Sequence, residues 1–424
     1  MRWPLVARTV IAAVGVGTAV ALYTQTRSRP VPIDRPASAA ATPGVTMQSG
    51  PGLEVQYASS ADSTSTVDRS RVEYQSVARH DDGRVTYTAF RATLPQDGTK
   101  VAADTVEMKG KVPNSDLPSD WTLAGHVRWQ RPGEMLIESA SATYNDVAGI
   151  ANIPGPMTFS RGTMAGTGVG GTYERSTGNF RVLAEAKVTM NAADGSGQVD
   201  ATAQTMTFVR ADRSMLFDQD AHISREAETL TADRATLYLS DDDQQFKSIE
   251  LHGGGKVLPA AGKTSNLPEM KGDNISLVFY PDGKALQRAI LGPKASMVTT
   301  DARGRRSIDA NQISFNTAPD GKTLTRLEAS EHVVVKTPPS DGVLERTISA
   351  STLVASGDDA HGLTAALFAG GADFVESVPA TQGHPASKRS GTSQQLTLKL
   401  KGQLDAVEEA RFQQDVKFRD GDMR

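Results

Sequence analysis

The sequence predicts an all-β chain built from antiparallel strands. Apolar and polar residues alternate with a period of two over many short segments, as in strands that bury one face. Turn-forming pairs recur between these segments, and a unit of about 40 residues repeats through the second half. Because each strand has one apolar face, two such faces must meet. This predicts a pair of facing sheets, closed or open like a V.

Composition supports this fold class and restricts the functions. The chain has 424 residues, of which 5% are aromatic. Asp-Gly pairs such as Asp97-Gly98 and Asp282-Gly283 recur between apolar segments and indicate turns. A net charge of −4 disfavours a nucleic-acid partner. Cysteine is absent, which excludes thiol catalysis, disulfide bonds and cysteine-bound zinc.

Residues 1–25 predict a membrane anchor or a signal peptide. The segment 9–23 is apolar and uncharged, and it reaches the short end of a membrane-spanning helix when it is extended to Leu5–Tyr23. Arg8 would then extend its charge to the lipid head groups. The alternative is cleavage, because Ala19-Val20-Ala21 is similar to a signal-peptidase site. Both alternatives predict that the rest of the chain is exported.

Residues 26–66 predict a tether. Ser, Thr and Ala dominate the segment, and five prolines interrupt any helix: Pro30, Pro32, Pro36, Pro43 and Pro51. Such a segment buries little apolar surface, so an extended or disordered chain is expected.

Residues 193–424 contain the repeat. Its segments begin with an apolar residue at intervals of 40, 38, 39 and 41 residues: Phe246, Leu286, Leu324, Leu363 and Leu404. A second strand-like segment precedes each of them across a tight turn. Each unit therefore predicts a strand, a turn, a strand, a short break that contains glycine, and a further strand. Long polar loops recur at one position of the unit, as expected if all units have the same orientation in a stack.

Residues 67–192 show a looser version of the pattern. Candidate strands include 84–92, 121–129, 135–144 and 180–190, and no amphipathic helix follows residue 25. The two regions together predict roughly 25–30 strands.

Interior positions of the repeat are mostly aliphatic. The candidates for an apolar groove are Leu237, Ile249, Leu251, Leu277, Phe279, Leu291, Met297, Phe315, Leu327 and Val335. Two interpretations are open at this point. One is a packed core, and the other is a trough that admits acyl chains.

Nucleotide, metal and catalytic motifs are weak. Gly166, Gly168 and Gly171 have the spacing of a dinucleotide-binding loop, but a strand, a turn and another strand follow them where that loop needs a helix. Together with Gly170 they are predicted to be structural glycines at a bend or a close approach of backbones. The acidic run Asp241–Asp243 lacks the glycine and glutamate of a calcium loop. The sequence therefore predicts no enzyme, no metal and no cofactor.

Residues 135–190 resemble the closing half of the LptC family of lipopolysaccharide-export proteins. The ordered pattern is a strand over ATYND, then PMTFSRG, then AGTGVGGTYERSTGNFRVL. The upstream segment 121-WTLAGHVRW-129 resembles the first strands of that family, and the 40-residue repeats are similar to OstA/LptA-type β-jellyroll units. The resemblance divides the folded chain into an LptC-like jellyroll at 67–192 and an OstA/LptA-like region at 193–424.

The resemblance implies an elongated twisted jellyroll with a V-shaped groove between two facing sheets. Acyl chains of lipid A would lie in the groove of a non-enzymatic carrier of lipopolysaccharide. The carrier would be a single-pass protein of the inner membrane with its bulk in the periplasm of a Gram-negative-type cell. It would receive cargo from the inner-membrane ABC transporter complex of lipopolysaccharide export.

The resemblance also implies a partner at the C-terminus. Residues 411–420 are a candidate edge strand for pairing with an LptA-like jellyroll or an outer-membrane LptD-like jellyroll, and the alternative is a protected terminal strand. The sequence leaves open whether a separate LptA is needed. The alternative function is a periplasmic or surface β-repeat module that binds proteins and carries no lipid.

Overall fold

A computed structural model describes most of the chain from residue 45 onward. The described residues are 45–59, 66–94, 97–110, 119–191, 198–225, 227–241, 243, 245–260, 262–263, 265, 267–301, 304–337, 345–378, 387–402, 404 and 407–422. The predicted anchor Leu5–Tyr23 and most of the predicted tether lie outside them. The chain divides into the compact units Met1–Thr46 and Met47–Arg424, and the second contains all but the first two strand residues.

The described residues form strands joined by turns, without a helix. No described segment is a helix long and apolar enough to cross a membrane. The strands are β1 Val45–Ser59, β2 Thr66–His80, β3 Val85–Leu94, β4 Thr99–Lys109, β5 Asp120–Gln130, β6 Leu136–Asn145, β7 Ile150–Arg161, β8 Met164–Glu174, β9 Asn179–Asn191, β10 Gln198–Ala203, β11 Thr205–Val209, β12 Ser214–Arg225, β13 Glu228–Leu239, β14 Phe246–Pro259, β15 Glu269–Phe279, β16 Leu286–Gly292, β17 Ala295–Asp301, β18 Gly304–Ala310, β19 Gln312–Thr317, β20 Leu324–Thr337, β21 Glu345–Asp358, β22 Gly362–Val378, β23 Ser387–Gly402, β24 Val407–Gln413 and β25 Lys417–Asp422.

Hydrogen bonds join all these strands into one sheet of 25 strands. The long strands pair antiparallel with the strands that precede and follow them in the chain, as β13, β14 and β15 do. Four pairs of short strands, such as β10 and β11, lie end to end and pair with the same long strand, β9. The sequence predicts a pair of facing sheets, closed or open like a V. The structure instead has one sheet, in which backbone hydrogen bonds connect neighbouring strands throughout.

The sheet is sharply bent along its middle. A straight strand would separate Trp121 and Trp129 of β5 by about 26 Å. Both indole rings nevertheless contact one ring, that of Tyr144 in β6, with centroid distances of 5.4 and 4.7 Å. The two halves of β5 therefore turn toward each other. The predicted pair of facing apolar surfaces arises from the two halves of the same strands.

The bend lies at a corner that recurs along the chain. Left-handed residues occupy it in every second strand of the repeat region: Gln219–Asp220, Gly253–Gly254, Gly292 and Lys294 on either side of Pro293, Glu331–His332, Gly370–Gly371 and Gln414–Asp415. The pairing register shifts at the same points, for example between His252 and Gly255. An extra residue in one strand of an antiparallel pair bends that strand. The glycine-containing break of the sequence repeat corresponds to this corner.

A recurring hydrogen bond accompanies the corner from unit to unit. A backbone amide of the neighbouring strand donates to the carbonyl of a corner residue at 2.8–2.9 Å: Gln204 to Gln219, Asp273 to Pro293, Asn311 to Glu331, and Gln394 to Gln414. These bonds satisfy backbone groups that the register shift removes from the regular ladder. The corner divides each bent strand into two legs. Leg A carries Leu237, Ile249 and Leu277, and leg B carries Leu230, Val257 and Met270.

One strand falls within the predicted tether. β1 runs from Val45 to Ser59 and pairs with β2. Pairing uses backbone groups, so a segment with few apolar side chains can still extend a sheet. Pro51 lies in this strand next to the sheet edge, where a missing N–H is tolerated.

The enclosed interior as the candidate functional site

The ten predicted groove residues are all buried between the legs. Their exposed fractions range from 0% for Ile249, Leu251, Leu277, Leu291 and Leu327 to 5% for Phe279. The other four, Leu237, Met297, Phe315 and Val335, are 1–3% exposed. They belong to one continuous apolar cluster that extends from Tyr74 to Leu400. In this structure the interior is therefore closed to water.

Leg A aligns the buried side chains in two rows that cross the strands. The first row is Leu237, Ile249, Leu277, Ala289, Phe315, Leu327, Ala355, Ala366 and Leu398, each directly paired with the next. Its nine residues span about 38 Å at the usual strand spacing. The second row is Leu251, Ile275, Leu291, Ile313, Ala329, Leu353, Phe368 and Leu396. An unbroken apolar surface results.

Leg B supplies the facing surface with a third row. It consists of Ile223, Leu230, Val257, Met270, Met297, Ile308, Val335 and Ile348. The rows bring nine of the ten predicted residues together. The exception is Phe279, which pairs with Leu286 near the end of leg A. Since the three rows run across the strands, the apolar path lies along the stack of repeats.

The interior between residues 67 and 192 is aromatic, which the sequence did not predict. Tyr74, Tyr87, Phe90, Trp121 and Tyr144 form a chain of ring contacts with centroid distances of 5.2–5.8 Å. Burial is the main factor that raises the pKa of Tyr144 well above its usual value. Its hydroxyl donates to Asp146 Oδ1 at 3.0 Å, so the buried ring keeps a polar partner at the rim.

The ends of leg A and leg B meet along a line that we call the seam. At its first point, the turn after β5 in leg B contacts the turns after β8 and β11 in leg A. Arg131 Nη1 donates to the carbonyl of Arg175 at 3.1 Å, and Arg210 Nη1 lies 2.9 Å from Glu134 Oε1. Tyr173 Oη donates to Glu134 Oε2 at 3.3 Å. Charged groups thus close the seam over an aromatic interior.

Two arginines close the seam farther along. Arg161, at the leg B end of β7, donates to Asp243 Oδ2 at 2.6 Å, and its guanidinium lies 4.9 Å from the ring centre of Phe208. Arg225, at the leg B end of β12, donates to the carbonyl of Lys284 at 2.9 Å. The Arg225 guanidinium lies 4.3 Å from the ring centre of Phe279. The V-shaped groove that the resemblance implies is closed at these points.

The four glycines that resemble a nucleotide loop lie within β8. A Cβ on Gly166 would overlap the ring of Phe159, and a Cβ on Gly168 would overlap Val182. Gly171 leaves room for Met157 in the same way, and Gly170 has a φ of +70° beside a register shift. The glycines therefore admit interior side chains of adjacent strands at a bend.

The acidic run and the histidines form no metal centre in the described part of the chain. Asp241 pairs with Arg213, and Asp243 pairs with Arg161. No group of three or more His, Cys, Asp or Glu side chains among the described residues is arranged to hold a metal ion. Asp243 of this turn instead forms the seam contact with Arg161.

The last two strands form a sheet edge. β24 and β25 both pair with β23, and no described strand pairs with their outer side. Phe418 is 65% exposed there and contacts Phe412 at a ring-centroid distance of 4.9 Å. An open edge with free backbone groups and an exposed aromatic side chain can accept a further strand.

Comparisons with known proteins add a limited similarity. No protein-family model and no curated protein matches the chain. Among solved structures, a similar chain is LptH from Pseudomonas aeruginosa, described as the LptA-homologous periplasmic component of the lipopolysaccharide transport device. The two chains share 17% identity with a TM-score of 0.25, and the match covers 27% of this chain and 81% of LptH. At these values the similarity does not assign a function.

Proposed function

We propose that the chain carries lipopolysaccharide across the periplasm as part of the bridge between the two membranes. The observation that carries this proposal is the set of three apolar rows that continue across the strands between legs A and B. Each CH₂ group that leaves water contributes about 0.8 kcal/mol, so a lipid with several acyl chains needs a continuous apolar shield. Rows of similar apolar residues provide such a shield, and no single position binds the acyl chains much more tightly than the others.

The closed seam defines how such a carrier works. Acyl chains enter the interior only when the legs separate, while sugars and phosphates stay outside in water. The seam contacts are arginine pairs with carboxylates and carbonyls, which water can solvate when the legs part. Arg161 with Asp243 is one such contact. An ion pair contributes little net free energy when both partners return to water on separation, because their solvation offsets the lost attraction. The seam is therefore the part of the interior wall whose opening requires the least free energy.

The proposal includes the finer expectations from sequence. The segment Leu5–Tyr23 would anchor the chain in the inner membrane next to the ABC transporter complex. The edge of β24 and β25 would receive an LptA-like or LptD-like jellyroll by strand pairing, with Phe418 covered by the partner. A protein-binding β-repeat module is the second candidate function, because the same open edge fits it.

Photo-crosslinking in membranes separates the two functions. p-Benzoylphenylalanine placed at Leu291 lies in the interior, where the native side chain is 0% exposed. The matched control is the neighbouring Ile290, which is 43% exposed on the outer face. We expect adducts with lipopolysaccharide at position 291 and none at 290, identified by mass spectrometry of the linked lipid. Protein adducts alone, with no lipid at position 291, would favour the binding module.

A further inference from the structure

Two polar side-chain atoms lie unpaired inside the first point of the seam. They are Oγ1 of Thr99, a residue that is 0% exposed, and Nε1 of Trp129, which is 4% exposed. Neither atom has a hydrogen-bond partner among the described residues. Most buried polar atoms in proteins are hydrogen-bonded, so an unpaired one needs a specific explanation. In the repeat region, by contrast, the buried hydroxyl of Thr317 donates to the carbonyl of Leu286.

The two unpaired atoms belong to neighbouring residues on the inner face of leg B. Thr99 is the first residue of β4, and Trp129 is the second-to-last residue of β5. Val101 pairs directly with Trp129, and Thr99 lies two residues before Val101 on the same face. Thr99 and Trp129 are therefore diagonal neighbours, which are about 7–8 Å apart in an antiparallel pair. A small acceptor group fits between their side chains.

Both residues lie directly beneath the charged groups that close the seam. The backbone N–H of Thr99 donates to Oδ1 of Asp97 in the preceding turn, at 3.0 Å. Trp129 precedes the turn in which Arg131 Nε lies 3.2 Å from Glu134 Oε1. These turns mark the boundary between the interior and water. The unpaired hydroxyl and indole N–H therefore lie just inside that boundary.

The indole ring of Trp129 also extends across the interior to leg A. Its centroid lies 4.7 Å from that of Tyr144 and 6.2 Å from that of Tyr173. The two tyrosine hydroxyls donate to the carboxylates of Asp146 and Glu134. Of these three described rings, Trp129 alone keeps a polar atom without a partner. Separation of the legs moves the tyrosine rings away from Trp129 and gives a ligand access to it.

The chemistry of the two groups selects a neutral acceptor. An indole N–H only donates, a hydroxyl donates or accepts, and a carbonyl oxygen accepts from two donors. An anion would lose its hydration here without a compensating charge, because Arg131 already pairs with Asp97 and Glu134. When a lipid head group is in water and its acyl chain is inside, the carbonyl that links them lies just inside the boundary.

We propose that Thr99 and Trp129 form a subsite for the carbonyl group of an acyl ester or amide. Thr99 Oγ1 and Trp129 Nε1 donate to the carbonyl oxygen, and the acyl chain continues into the aromatic interior. This inference rests on the proposed function and deepens it. It assigns the linkage between the head group and the acyl chain of the cargo to the first point of the seam.

A matched pair of lipids tests the subsite on the full chain. The probes are 1-palmitoyl-lysophosphatidylglycerol and its 1-O-hexadecyl ether, which share head group and chain length and differ in the ester carbonyl. Isothermal titration calorimetry below the critical micelle concentration measures both affinities, and their ratio is the carbonyl preference. A lost hydrogen bond weakens binding about fivefold. We expect the native chain to prefer the ester by at least that factor.

Three substitutions locate the preference. Thr99→Val keeps the shape of the side chain and removes the hydroxyl, so the preference should fall while the urea midpoint stays the same or rises. Thr99→Ser retains the hydroxyl and should retain most of the preference. Trp129→Phe removes the indole N–H and should lower the preference. The matched control is Thr105→Val, on the exposed face of the same strand, which should leave the preference unchanged.

The ratio of the two affinities cancels any general change in lipid binding. Equal binding of the ester and the ether by the native chain overturns the proposal, and water bound to both groups would give this result. A preference that survives both Thr99→Val and Trp129→Phe also overturns it, because the carbonyl is then recognised elsewhere. A lower urea midpoint for Thr99→Val would show that the hydroxyl is bonded in the free protein, which contradicts the subsite.

The crosslinker at Leu291 distinguishes this subsite from the proposed transport function. Capture of lipopolysaccharide at Leu291, without a carbonyl preference, refutes the subsite and leaves transport standing. A carbonyl preference that depends on Thr99, without any capture at Leu291, supports the subsite and refutes transport through the interior of the repeat region.

Discussion

The alternation of the β16 strand allows a direct test of how tightly the interior is packed. Leu291 and Ile290 are neighbours of similar size on opposite faces of the sheet, 0% and 43% exposed. Truncation of a fully buried leucine to alanine costs about 2–5 kcal/mol, from lost burial and from the cavity that remains. Truncation of a half-exposed residue costs about 1 kcal/mol or less.

Urea denaturation followed by far-ultraviolet circular dichroism measures the difference. With a slope of about 3 kcal/mol per molar urea, a loss of 3 kcal/mol lowers the midpoint by about 1 M. We expect that shift for Leu291→Ala and less than a third of it for Ile290→Ala. Equal shifts would refute the assignment of Leu291 to a packed interior. A small shift for Leu291→Ala alone would show that the legs are loosely packed without cargo.

Three further predictions concern the seam, the aromatic interior and an exposed histidine in the middle of β5. Arg161→Cys combined with Asp243→Cys and joined by a short bismaleimide should lock the seam and reduce lipopolysaccharide loading to background. The capped but unlinked variant should load normally, and the absence of native cysteine makes the link specific. Tyr144→Ala should cost about 3–5 kcal/mol and shift tryptophan emission, whereas Tyr144→Phe should cost about 1 kcal/mol, in thermal melts. The Asp104 carboxylate, 2.8 Å from Nδ1, raises the pKa of His126; NMR titration should show this increase, and Asp104→Asn should abolish it. Because the folded pKa is raised, this contact stabilises the fold below the ordinary histidine pKa, and the contribution is lost as pH rises through the raised value.

The strand positions of the repeat could be predicted from sequence with good accuracy. The segments beginning at Phe246, Leu286, Leu324 and Leu363 begin strands or lie at their first residues. Their alternation also identified ten interior residues, and the structure buries all of them. The prediction succeeds because a strand with one solvent-exposed face has its apolar residues at every second position. The pattern is local, so a single sequence contains it.

Other features depend on residues far apart in the chain. Arg161 and Asp243 are separated by 82 residues, and Arg225 and Gly283 by 58. Neither contact can be predicted from the sequence, because each depends on the bend and twist of the sheet across several strands. The inward position of Arg306 on β18, where it is 9% exposed, was not predicted for a related reason: an arginine within an alternating strand is normally read as an outward residue. Only the folded sheet shows that it is buried.

The sequence by itself determined the strand class, the repeat and the apolar faces, because these follow from side-chain periodicity and turn chemistry. It also indicated the glycine-containing break of each unit. The tertiary structure decided that the break is a corner, that one bent sheet replaces two, and that arginines close the rim. Left-handed residues such as Gly253 and His332 direct the chain back at the corner. The angle between the legs, and therefore which side chains meet, is a property of the whole sheet.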